Sequence, residues 1–176
     1  MFQIKRPILF VVLVSVAFSC NSTSGETAGD DVSNEVQEVS AYSNSLINEI
    51  LGGEATFRGF DLGQSLLEIE QIETLEQFQQ SEDELGYTFE TQNDEVVDIY
   101  YSGENGELNE ILVDIYLNSD SLSSDVANGI RNYFTMKYGQ SVKDSVEIWN
   151  LNDEESVSLK LIDKKLDSGL QIIYSR

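Results

Sequence analysis

The chain has 176 residues, 40% of them hydrophobic, with eight Tyr, eight Phe and one Trp, which is enough apolar mass for one packed domain with extensions. Its 10 basic and 32 acidic residues give a formal charge of −22 and it has no histidine. That field repels phosphates, so nucleic-acid binding is excluded as a working reading, and the commonest imidazole-based catalytic and zinc sites are unavailable.

Residues 1–20 divide into three parts. Lys5 and Arg6 form a basic head, and Ile8 to Phe18 is apolar apart from Ser15. As a helix that run reaches roughly 16 Å, about half of a 30 Å hydrocarbon core, so it reads as a signal peptide over residues 1–19 and not as a transmembrane span. Ala17-Phe18-Ser19-Cys20 places small residues before the single cysteine of the chain. This segment resembles the lipobox of bacterial lipoproteins. The resemblance implies cleavage before Cys20, acylation of its thiol and new amino group, and anchorage by two or more acyl chains, since one chain holds only marginally. Asn21 after the cysteine resembles cargo sent to the outer membrane. An ordinary cleaved signal peptide with an incidental thiol is the other reading of the same residues.

Residues 20–31 are expected to be the lipidated Cys20 and a flexible acidic tether, since after Asn21 they are Ser, Thr, Gly and acid with one Ala. Residues 32–53 repeat Val32, Val36, Val39, Tyr42, Leu46 and Ile50 at spacings of three and four, an amphipathic helix closed by Gly52-Gly53. It either completes the core or pairs with another chain.

Residues 54–176 read as a single α+β domain. Phe57 to Leu62 looks short and extended. Ser65 with Glu68 spells a capping box, and Leu66, Ile69 and Ile72 line the helix that follows. Thr74 to Glu84 is acidic and unpatterned. Strands are expected through Tyr87 and Phe89, through Val97, Ile99 and Tyr101, and through Ile111, Val113, Ile115 and Leu117, with a turn at Ser102-Gly103-Glu104-Asn105-Gly106-Glu107. A second helix over Ser124–Tyr138 points Val126, Ile130 and Phe134 inward and stops at Gly139. Three further strands follow: Val146–Leu151, Val157 to Leu161, and Leu170 to Tyr174. The expected fold is α+β, a mostly antiparallel sheet of about six strands with helices on one face, arranged as two tandem helix-plus-three-strand units.

Phe57, then Gly59-Phe60-Asp61-Leu62-Gly63-Gln64-Ser65, followed by Gly106-Glu107-Leu108-Asn109-Glu110-Ile111, resemble the small periplasmic lipoproteins of the SmpA/OmlA type over about residues 57–117. They are also similar to the β-lactamase-inhibitor-protein-like fold of tandem helix-plus-sheet units. The resemblance implies protein binding or envelope scaffolding, without catalysis.

No cofactor is implied, since phosphate-cradling glycine loops and nucleophile elbows are lacking. Asn150 to Glu155 and Glu104 to Glu107 gather oxygen ligands in turns without the spacing of a calcium loop, so polar turn chemistry is the expectation and no metal residue is assigned. If Val97, Ile99, Ile111 and Val113 face the helices, period-two geometry turns Tyr100, Leu112 and Tyr116 to the opposite face. With Val146 and Ile148 inward, Trp149 joins them, and Ile173 lies alongside. These residues are the candidate binding patch. The expected function is a lipid-anchored, non-catalytic protein-binding or scaffold module of the cell envelope, partnered by the membrane and an envelope protein. Oligomeric state stays open. The alternative is a small hydrolase using carboxylates or a metal.

Overall fold

The computed structural model of the chain describes residues 43–143, 146–164 and 167–176. The signal peptide, Cys20, the tether and the start of the amphipathic helix therefore lie outside the described residues. The elements in chain order are α1 (helical over 43–51), α2 (Leu66–Ile72), β1 (Glu76–Gln80), β2 (Glu84–Glu90), β3 (Val96–Glu104), β4 (Glu107–Tyr116), α3 (Asp120–Tyr138), β5 (Val142–Lys143), β6 (Glu147–Asn150), β7 (Ser156–Lys164) and β8 (Asp167–Ser175). All the strands form one sheet in the order β1-β2-β3-β4-β8-β7-β6-β5. Every neighbouring pair is antiparallel.

The fold is thus α+β with an antiparallel sheet. Among the described residues it has seven strands of four residues or more, and β5 adds a two-residue edge, where about six were expected. The extra strands come from stretches with no apolar alternation. β1 is Glu-Gln-Phe-Gln-Gln with every residue exposed, so it carries no buried face to read. After α1, the described elements run as α2 with the meander β1–β4 and then α3 with the meander β5–β8, four strands after each helix where three were expected. The halves meet where β4 pairs with β8, with Leu112 opposite Ile173 and Val113 opposite Ile172.

Alternation decides what is buried. Val97, Ile99 and Tyr101 on β3, Ile111, Val113 and Ile115 on β4, and Leu170, Ile172 and Tyr174 on β8 point to one face and are almost wholly inaccessible. Helix α3 covers that face through Val126, Ala127, Ile130 and Phe134, all buried. The described part of α1 buries Leu46, Ile47, Ile50 and Leu51 in the same core, so this part closes the domain. α2 contributes Leu66 and Ile69, but Ile72 is exposed.

Residues 57–60 correct the expectation of an extended segment. Phe57 and Phe60 exchange backbone hydrogen bonds of 3.0 and 2.8 Å across a two-residue turn. Arg58 and Gly59 hold positive φ values of 50° and 90°, as a tight turn of this hand requires. The turn drives both rings into the core: Phe57 reaches Tyr101 of β3 and Tyr174 of β8, bridging the two halves, and Phe60 meets Tyr101 edge-on at 5.5 Å.

Capping is also redistributed. Ser65 is the N-cap of α2 but makes no side-chain capping hydrogen bond, and Glu68 instead accepts from Gln64 Nε2, so the capping box does not close. Ser119 is the cap that works, its hydroxyl accepting from the Leu122 amide at 3.2 Å. Gly139 ends α3 at φ 92°, as expected for its position.

Candidate functional site: the uncovered face of the sheet

Residues directly opposite one another in an antiparallel sheet share a face, so the registers define which side chains stand in line on the side away from the helices. One row runs Gly86, Tyr100, Leu112, Ile173, Ser158, Ile148 and Val142, crossing from β2 to β5. Apart from Gly86 and Ser158 its members are apolar or aromatic. Tyr100, Leu112 and Ile173 are half-buried, Ile148 is 37% exposed and Val142 64%. Phe78 of β1 extends the row, its ring edge-on to Tyr100 at 5.5 Å. A Cβ on Gly86 would lie 2.9 Å from Phe78 Cζ and 2.8 Å from Gln79 Cβ, so the glycine makes the room in which Phe78 lies down on the sheet.

Polar rows border the apolar one, about 6.7 Å away along the strands. On one side stand Glu84, Ser102, Glu110, Ser175, Ser156 and Asn150. On the other stand Thr88, Asp98, Asp114, Gln171 and Lys160. The carboxylates Glu84, Glu110, Asp98 and Asp114 all belong to β2, β3 and β4, so one end of the row is framed in negative charge and the other end is close to neutral. Glu84 accepts from the Ser102 hydroxyl at 3.1 Å and from Gln79 Nε2, and Asp114 accepts from Gln171 Nε2 at 2.8 Å. Burial, then the charges of Asp98, Asp114 and Glu84, push the Tyr100 phenol above its ordinary pKa. It therefore stays neutral over the whole physiological range, a ring with a hydroxyl donor facing an acidic frame.

The structure brings three of the four sequence-derived patch residues together here. Tyr100 and Leu112 are cross-strand neighbours, and Tyr116 lies on the same face, 43% exposed, beyond Asp114 on β4. Trp149 is a correction. Its pairing with Val157 puts it on the covered face, 1% exposed, with Phe134 5.2 Å away and its indole N–H donating to Thr135 Oγ1 at 3.3 Å. The parity of β6 is the reverse of that expected: Ile148 points out. Trp149 fills the space beside Phe134, and burying its ring removes more apolar surface from water than burying Ile148 would. Ile148, Val142 and Phe78 are the members of the row that sequence reasoning missed. The first two sit on strands too short to show a period, and Phe78 lies among Glu and Gln.

Other candidate chemistry resolves into structure. In the turn after β6, Asn152 Oδ1 accepts from the amides of Glu154 and Glu155 at 2.9 Å, and its Nδ2 donates to Glu155 at 2.7 Å, so these ligand-like groups are used in the turn itself. Among the described residues no group of three or more His, Cys, Asp or Glu is arranged to hold a metal ion. A cleft over Gly169, beside Tyr116, Ile162 and Gln171, has a volume of about 130 Å³ and a single carboxylate, Asp114. That is below the roughly 300 Å³ of a typical small-molecule pocket. A more open hollow of about 540 Å³ lies over the turn after β6, lined by Asn150, Asn152, Asp153, Glu154, Glu155 and Ser156. No described helix is long and apolar enough to cross a membrane. No protein-family model, curated protein or solved structure matches the chain.

Proposed function

We propose that this chain is a lipid-anchored protein of the bacterial cell envelope, at the outer membrane, in which acylated Cys20 and the tether of residues 21–31 present one α+β domain that binds a protein partner without catalysing a reaction. The observation that carries the binding reading is the row from Tyr100 to Val142, which no helix among the described residues covers. A line of apolar side chains broken only by Ser158, on the side of the sheet away from the helices in a protein this acidic, costs solubility, and contact with a partner is what such a line fits. The helix-then-four-strands plan, occurring twice, favours kinship with the tandem helix-plus-sheet proteins that the residues around Phe57 and Gly106 resemble. The lipid anchor is supported by the sequence of residues 5–21 alone.

Two measurements test the reading. Intact mass of the protein from native membranes should equal the chain from Cys20 plus acyl groups; an unmodified thiol or a retained leader would remove the anchor. Affinity capture from envelope extract should recover a protein with the wild-type domain and lose it with Tyr100→Ala/Leu112→Ala/Tyr116→Ala. Equal recovery by both would remove the sheet face as the binding surface.

A further inference from the structure

Resting on that reading, the row and its borders also define the shape and charge of what lies on them. The apolar line runs across the strands, not along one. From Tyr100 on β3 to Val142 on β5 it crosses five strand intervals, about 24 Å at 4.8 Å each. It is one side chain wide between polar rows. An extended chain lying crosswise on a sheet face finds no backbone partners there and would bury its own N–H and C=O groups unpaired. A second sheet presents an apolar area and not a line, and it would press apolar side chains onto Glu84, Glu110, Asp98 and Asp114. A helix meets both demands. It satisfies its own backbone, and its apolar stripe is long and narrow; about 16 residues span 24 Å. Lys or Arg on both shoulders of that stripe can lay their methylene stems on the row and carry their charges outward to the carboxylates.

We propose that the row is the seat of a cationic amphipathic helix of a partner protein, lying across the strands with its basic residues over β2, β3 and β4. The charge distribution selects this occupant over two others. Residues 21–42 of the chain itself carry five acids (Glu26, Asp30, Asp31, Glu35, Glu38) and no Lys or Arg, so they would bring like charge to the acidic frame. A second copy would set one acidic frame against another, within a molecule whose net charge is already −22. A cationic helix is instead drawn in by that field and oriented by the concentration of carboxylates at one end.

The test uses the full chain and three synthetic 18-residue peptides: one with a Leu face flanked by Lys, one with Glu in place of every Lys, and one of the first composition scrambled to abolish the face. Fluorescence anisotropy of the labelled peptides should show the Lys peptide binding at least tenfold more tightly than either other. Leu112→Asn should weaken it at least tenfold. Val142→Asn, at a mostly exposed position where folding is not at risk, should weaken it about threefold. Asp98→Asn/Glu110→Gln should weaken it and flatten its salt dependence. Equal binding of the scrambled peptide, no binding of the Lys peptide, or indifference to Val142→Asn would overturn the proposal. So would sedimentation showing a dimer of the chain that Val142→Asn dissociates, which would give the row to a second copy. If capture from the envelope depends on Tyr100 and Leu112 while the Lys peptide fails, the sheet face remains the binding surface and only the helical, cationic occupant falls.

Discussion

Phe134 of α3 and Trp149 of β6 stand with ring centroids 5.2 Å apart and planes at 58°, inside the layer between helix and sheet. That contact decides the parity of β6. With Trp149 inward, Ile148 points outward, and through the pairings of Ile148 with Ser158 and Val142 it joins the apolar row on the free face. Arg131 Nε, 2.6 Å from Glu147 Oε1, ties the same strand to the same helix.

Trp149→Ala therefore removes a core ring and not a contact residue. It should lower the unfolding free energy by about 3–5 kcal/mol, read as a shift of the urea midpoint at constant slope. Affinity for a sheet-face partner, corrected for the folded fraction, should be unchanged. Lost affinity at unchanged stability would place Trp149 on the interface.

A second prediction concerns Glu73. Its side chain is 4% exposed, accepts from the Tyr101 hydroxyl at 3.0 Å, and lies 3.6 Å from the guanidinium of Arg58, which the Phe57–Phe60 turn delivers to it. Glu73→Leu removes the acceptor of the phenol, the ion-pair partner of Arg58 Nε and the acceptor of the Thr74 and Leu75 amides, while Arg58 Nη1 keeps the Glu49 carbonyl. It should cost about 2–4 kcal/mol. Arg58→Met combined with Glu73→Leu should recover part of that loss, because the half-buried guanidinium is then no longer left without its carboxylate. A double variant as unstable as the sum of the singles would contradict the coupling.

Alkaline pH should unfold the protein, and the sign follows from the tyrosines. Burial raises Tyr101 and Tyr174 well above the ordinary phenol pKa, with Glu73 adding to the effect at Tyr101; Tyr87, Tyr100 and Tyr138 are raised as well. A folded pKa above the unfolded one means that above about pH 10 the unfolded chain holds fewer protons. The stability is fully present below pH 10 and declines as pH rises beyond it. Phenolate absorbance should appear together with the loss of far-ultraviolet circular dichroism. Complete tyrosine ionisation with the dichroism intact would contradict the burial of these rings.

The two caps separate sharply. Ser119→Ala removes the acceptor for the Leu122 amide and should cost about 1 kcal/mol. Ser65→Ala removes no capping bond and should stay within about 0.5 kcal/mol of the wild type by the same denaturant titration.

The sequence was legible where burial imposed a period. Val126, Ile130 and Phe134 mark the inner face of α3, and Val97-Ile99-Tyr101 and Ile111-Val113-Ile115 mark the covered face of the sheet; each pattern has enough repeats to set its own phase. From these, Tyr100, Leu112 and Tyr116 could be placed on the free face. It was illegible where an element has no buried side, as in β1, or too few residues to set a phase, as in β5 and β6. There the partner strand and the bulk of a single ring decide, and both are properties of the assembled sheet. The turn at Phe57–Phe60 escaped for a different reason: its left-handed residues include Arg58, which carries no turn signature by type.

Site-specific photocrosslinking in the native envelope tests the central claim most directly. A benzophenone side chain replacing Leu112 or Val142 should give a discrete protein adduct, while the same group replacing Met136, 89% exposed on the helix side, should give none above background. Adducts of equal yield from Met136, or none from either sheet position, would contradict the assignment of the uncovered face as the surface through which this protein works.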